Sequence, residues 1–86
     1  MTRQLAWTTK AWDDYLILQE QDRKTLRRVN QLLRDTLRSP FEGIGKPEPL
    51  QRNLGGFWSR RIDEKNRLVY EVDDVCVTII ACRHHY

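Results

Sequence analysis

The chain has 86 residues, 40% hydrophobic and 31% charged, with a formal net charge of +3 and two cysteines. At this size folding hides only about 60–65% of the unfolded chain's surface, so the composition fits one domain with one small core. No run of about 18 apolar residues offers a membrane span, MTRQLAWTTK carries no apolar leader core, and two cysteines cannot build a disulfide scaffold or a closed zinc site.

Residues 3–7, RQLAW, alternate polar and apolar and are expected to form a short strand. Thr8 or Thr9 then caps a helix, with Asp13 and Asp14 in or near its first turn, where negative charge suits the helix dipole. Trp12, Tyr15, Leu16 and Gln19 mark the face expected to be buried. Asp22 is a second capping residue, so the helix is expected to break near residues 20–22. From Arg23 to Arg38, Leu26, Val29, Leu33 and Leu37 form an apolar stripe at helical spacing, and Ser39-Pro40 ends it. Two such helices predict a hairpin laid on one face of a sheet.

Residues 40–50, PFEGIGKPEPL, hold all three prolines and two of the four glycines. This composition predicts a loop, in part polyproline-like at 46–50. Strand composition follows at 53–62, 67–72 and 75–83, with turns at Asp63–Asn66 and Asp73–Asp74. The expected class is α+β: an N-terminal strand, a helical hairpin, then antiparallel strands, with both helices on one face of a twisted, mainly antiparallel sheet. Alternation puts Trp58, Arg60 and Ile62 on one face, and Phe57, Ser59 and Arg61 on the other. Leu68, Tyr70 and Val72 similarly oppose Arg67, Val69 and Glu71. In the last strand Val75, Val77, Ile79 and Ala81 oppose Cys76, Thr78, Ile80 and Cys82. If the helices cover Ile62, Leu68, Tyr70 and Val72, then Arg61 and Arg67 share the uncovered face.

Charge is unevenly placed. Residues 23–67 carry twelve basic and five acidic side chains, against two and four in residues 1–22 and one and three in residues 68–86. A basic middle attracts polyanions such as RNA or DNA. Arg23, Lys24, Arg27, Arg28 and Arg34 are equally well explained as a solvated helix face.

Three segments carry groups suited to chemistry. In Lys46-Pro47-Glu48-Pro49-Leu50 a carboxylate stands on backbone stiffened by two prolines, although a solvated turn has the same composition. Arg60-Arg61 and Arg67 flank a short turn. Planar guanidinium forks suit a phosphate whose charge grows in the transition state, but ion pairs with Asp63, Glu64 or Glu71 are the alternative. Arg83-His84-His85-Tyr86 offers a proton carrier and a stacking ring, or else a frayed tail. A metal reading through Cys82, His84 and His85 is weaker, because adjacent histidines on a strand face opposite sides. One carboxylate, one imidazole and clustered arginines are the minimum set for metal-free RNA cleavage.

The stretches AWDDYLILQEQDRK, KPEPL, GFWSRRI and RLVY, with the closing RHHY, resemble the YoeB-type toxins of the RelE/ParE toxin–antitoxin superfamily. The resemblance implies a microbial ribonuclease-like fold and a ribosome-dependent messenger RNA endonuclease. Cys76 and Cys82, read as reduced thiols, fit a cytoplasmic protein, and the residue set calls for no cofactor or metal. It implies neutralisation by a YefM-type antitoxin, contact with operator DNA only through that complex, and frequent homodimers. By matching motif it implies Glu48 as general base, His85 as general acid, Arg67 as the main phosphate-stabilising residue with Arg61 assisting, and Tyr86 as the residue orienting substrate. Lys46 is implied to contact backbone phosphate. Gln51, Lys65 and His84 depart from the pattern of some relatives. The alternative is a non-enzymatic member of the superfamily, a gyrase-binding toxin or a co-repressor partner.

Overall fold

The structure, a computed structural model, describes residues 2–50 and 56–83. Strand β1 (Gln4–Trp7) leads into helices α1 (Thr9–Gln21) and α2 (Arg23–Arg38); β2 (Glu48–Pro49), β3 (Phe57–Arg61), β4 (Arg67–Val72) and β5 (Cys76–Ala81) follow. The five strands form one sheet in the order β1-β5-β4-β3-β2, with β1 parallel to β5 and the other pairings antiparallel. This is the expected α+β class. Among the described residues no helix is long and apolar enough to cross a membrane.

Capping side chains fix the helix ends. Thr8 Oγ1 accepts the Ala11 N–H at 3.1 Å and starts α1. Asp22 closes α1 by donating its own N–H to Leu18 O, and opens α2 by accepting the Thr25 N–H at 3.0 Å. One residue therefore serves both helices, and the hairpin is as tight as its sequence predicts. Ser39 ends α2.

The helices cover the sheet face bearing Ile62, Leu68, Tyr70, Val77 and Ile79, which pack with Leu18, Val29, Leu32 and Leu33 in one core; Val72 lies at its edge. The stripe on α2 is as expected, with Leu32 and Thr36 added to its buried side. The buried face of α1 differs from expectation except at Tyr15, which packs half-buried against the core. That face is Ala11, Asp14 and Leu18, while Trp12 and Leu16 stay 44% and 39% exposed. The cause is the small side chain of Ala11, which lets α1 approach β5 closely. Trp12 packs instead at the rim against Trp7 and Tyr15. Asp13 and Asp14 lie beyond the first turn, and Asp14 pairs with Lys10 at 3.1 Å.

Two further expectations need correction. The segment 40–50 is not wholly loop, because Glu48 and Pro49 pair with Ser59 and Trp58 as an edge strand. An edge position tolerates proline, whose missing N–H need not face the ladder. Lys46 adopts φ 51°, which is left-handed and not polyproline-like. In β5 the alternation slips. Val69 pairs with Ala81 and Tyr70 with Ile79, so Ile80 is an extra residue in a bulge. Beyond it Cys82 turns toward the helices, with Sγ 3.7 Å from Ala11 O, and Ala81 moves to the face of Val69.

Candidate active site

The face away from the helices collects Glu48, Arg61 and Arg67 of the groups singled out in sequence. Glu48 is in register with Ser59, Ser59 with Val69, and Val69 with Ala81, which makes one row across four strands. The next row pairs Arg61 with Arg67, so these guanidinium groups share the uncovered face as expected. Arg67 Nη1 donates to Ser59 Oγ at 3.1 Å and stands 3.4 Å from Glu48 Oε1. The Glu48 side chain is 60% exposed and that of Arg67 is 28% exposed. The carboxylate is thus open to a substrate, while the guanidinium is held by a nearly inaccessible serine. Arg61 is exposed beside this pair, and Lys46 is exposed two residues ahead of Glu48. The expected alternative of Arg67 pairing with Asp63, Glu64 or Glu71 is not what forms. Its carboxylate partner is Glu48, and Asp63 accepts the Lys65 and Asn66 N–H groups to build the turn.

His85 and Tyr86 lie outside the described residues, as do Gln51 and His84. Among the described residues no three His, Cys, Asp or Glu side chains gather to hold a metal.

Arg60 lies, as the alternation along β3 predicts, on the face opposite Arg61 and Arg67. It is fully buried on the helix side of β3. Nε donates to Tyr70 Oη at 3.1 Å, Nη1 to Asp35 Oδ2 at 2.6 Å and Ile44 O at 3.0 Å, and Nη2 to Ser39 O at 2.6 Å and Glu42 O at 3.0 Å. A guanidinium has five N–H donors, and all five are used. The hydrogen bond from Arg38, opposed by burial and reinforced by Arg60 and the Ile44 amide, holds the Asp35 carboxyl down at about 2. Sequence reasoning missed this role and also that of Ser59. The signal for both was the alternation along β3, which placed Arg60 inward with Ile62 and Ser59 outward with Arg61.

A groove of about 480 Å³ beside α2 is lined by Arg28, Gln31, Arg34, Asp35, Arg38 and Ile44; neither Glu48 nor Arg67 borders it. Arg28 is committed to the end of β3, donating to Arg61 O and Ile62 O. The groove is therefore separate from the carboxylate–guanidinium row.

The family model described as the YoeB-like toxin of bacterial type II toxin–antitoxin systems matches residues 7–86. The chain is 57% identical over 82 residues to the toxin YoeB of Escherichia coli strain K12, covering 95% of this chain and 98% of that one. It superposes with a TM-score of 0.91 on a structure of the YoeB dimer from Staphylococcus aureus, at 41% identity and 100% coverage of both chains. The heterotetrameric YoeB-YefM toxin–antitoxin complex of the same species gives a TM-score of 0.86, again at 41% identity and full coverage. With two helices on a five-stranded RelE-like sheet and this likeness over nearly its whole length, the chain belongs to the YoeB-like toxins of bacterial type II toxin–antitoxin systems.

Proposed function

We propose that this toxin is a ribosome-dependent endoribonuclease that cuts messenger RNA in the ribosomal A site. The observation that carries the reading is the Glu48–Arg67 pair, 3.4 Å apart on the uncovered face, with Arg61 in register beside Arg67. Glu48 takes the proton of a ribose 2′-hydroxyl, and the freed oxygen attacks the adjacent phosphorus. The bond from phosphorus to the 5′-oxygen breaks, and His85 gives that oxygen a proton. The products are a 2′,3′-cyclic phosphate, or the 3′-phosphate formed from it, and a 5′-hydroxyl. Each proton transfer contributes typically about 10²–10⁴-fold. Arg67 and Arg61 offset the charge that builds on the phosphate oxygens. Tyr86 orients the substrate, and Lys46 holds a neighbouring phosphate. No metal takes part.

The same reading gives this toxin a YefM-type antitoxin as its neutralising partner, with operator DNA reached only through that complex, and a homodimer as its own assembly. The Staphylococcus aureus relatives form a YoeB dimer and a YoeB-YefM heterotetramer, which supports both.

The test is addition of purified toxin to translating ribosomes. A-site cleavage is expected, and it should continue with a chelator that takes transition metals but spares the ribosome's magnesium. Arg67→Gln should slow cleavage by roughly 10²–10³-fold with the circular dichroism spectrum unchanged. His85→Ala should remove it. Intact transcripts at saturating wild-type toxin would overturn the reading.

A further inference from the structure

We infer that Arg60 is a positioning residue for Glu48, fixing the segment that delivers this carboxylate to the reactive face. The inference rests on the reading of Glu48 as the base.

Arg60 sits between two residues of the reactive face. Ser59 is in register with Glu48, and Arg61 with Arg67. Arg60 itself points the other way. Three of its five acceptors are the carbonyls of Ser39, Glu42 and Ile44, all from the segment between α2 and β2. The other two are Asp35 on α2 and Tyr70 on β4. Both of these partners also hold the segment directly. Asp35 Oδ2 accepts the Ile44 N–H at 2.9 Å, and Tyr70 Oη donates to Pro40 O at 2.8 Å.

The segment is shaped to lie on this network. Gly43 has φ 125°, and a Cβ there would stand 2.0 Å from Asp35 Oδ2 and 3.3 Å from Arg60 Nη1. Gly45 has φ 80°, and a Cβ there would meet Leu32 Cδ2 at 2.7 Å and Arg60 Cβ at 3.1 Å. Glycine is required at both for conformation and for space. Gly45 O then accepts the Arg61 N–H at 2.7 Å, the last tie before the chain turns at Lys46. Pro47 and Pro49 bracket Glu48 itself, so little rotational freedom separates the clamp from the carboxylate.

A buried charge with every donor satisfied cannot shift by small steps, because each displaced bond leaves an unpaired group in a dry interior. The clamp therefore sets one position for the segment. A misplacement of about 1 Å at a reacting group can cost about 10²-fold in rate.

The experiment compares wild type with Arg60→Lys and Tyr70→Phe, the second variant retaining the core volume should the first fail to fold. Hydrogen exchange is read at the Ile44 and Arg61 amides of the purified toxin. Single-turnover cleavage is read on saturating ribosomes programmed with a short messenger RNA, alone and in a Glu48→Gln background. We expect faster exchange at both amides, cleavage slowed roughly 10- to 100-fold with ribosome affinity unchanged, and no further loss once Glu48 is Gln. Loosened amides with wild-type cleavage, or an equal loss in both backgrounds, would overturn the inference. So would unchanged exchange in a folded variant. A wild-type toxin that leaves the transcript intact would instead sink the nuclease reading, while the exchange data would still report whether the clamp exists.

Discussion

Burial, with the charge of Asp14 adding to it, pushes the Cys82 thiol up to about 12. The reactive species of a cysteine is the thiolate, so Cys82 is inert at neutral pH despite being a free thiol. Cys76 is only half-buried. Native protein treated with an alkylating reagent near pH 8 should therefore label at Cys76 and not at Cys82, and both should label in urea; mass spectrometry of the peptides reads the order directly. The residue scale is also where the sequence was hardest to interpret. Alternation put Arg60 on the same face as Ile62, which the core covers, without showing how a charge could be held there. What holds it is a set of carbonyls and one carboxylate distant in sequence, and no local pattern announces those. The position of Arg61 and Arg67 was legible, since a short turn between two strands fixes their register. Glu48 was legible as a stiffened carboxylate, but its pairing with Arg67 depends on an edge strand that prolines disguise.

Among the elements, the helical hairpin was the most legible because its signals are local. A stripe at helical spacing and capping side chains at Thr8 and Asp22 need no tertiary contact to be read. Asp22 carries the most weight of these. It accepts bonds from both the backbone N–H and the hydroxyl of Thr25 while closing α1 through its own amide. Asp22→Ala should destabilise the fold, read as a lower urea midpoint at constant m-value. An unchanged midpoint would show that Asp22 is not the hinge of the hairpin. The buried face of α1 was less legible, because its apolar residues spread around the helix and the choice between them falls to β5. The bulge at Ile80 was not legible at all. Nothing in VCVTIIACR marks which residue is extra; only the pairing with β4 shows that the register shifts between Val69 and Tyr70.

On the scale of the whole molecule, the α2 carboxylate of Asp35 joins helix, segment and sheet. Its pKa is depressed from 3.8 to about 2 on folding. A depressed carboxylate contributes stability that is complete above the unfolded value and is lost as pH falls through the folded one. Stability should therefore hold down to about pH 4 and decline toward about pH 2 as Asp35 protonates. Urea midpoints measured across this window should show the slope, and Asp35→Asn should flatten it. A slope that survives the substitution would assign the acid sensitivity to other carboxylates, of which Asp22 and Asp73 are also lowered by backbone hydrogen bonds. The basic middle of the chain divides between two tasks at this scale. Arg28 and Arg60 hold the architecture, while Arg61 and Arg67 lie on the uncovered face beside Glu48.

Among the described residues the sheet order gives β1 a single neighbour, β5, the last of these strands in sequence. A growing chain therefore carries β1 without a sheet partner until β5 has been synthesised, and the row that Ala81 completes on the uncovered face is assembled late as well. Pairing of β1 therefore closes the sheet rather than nucleating it, because a contact so distant in sequence costs the most chain entropy to form.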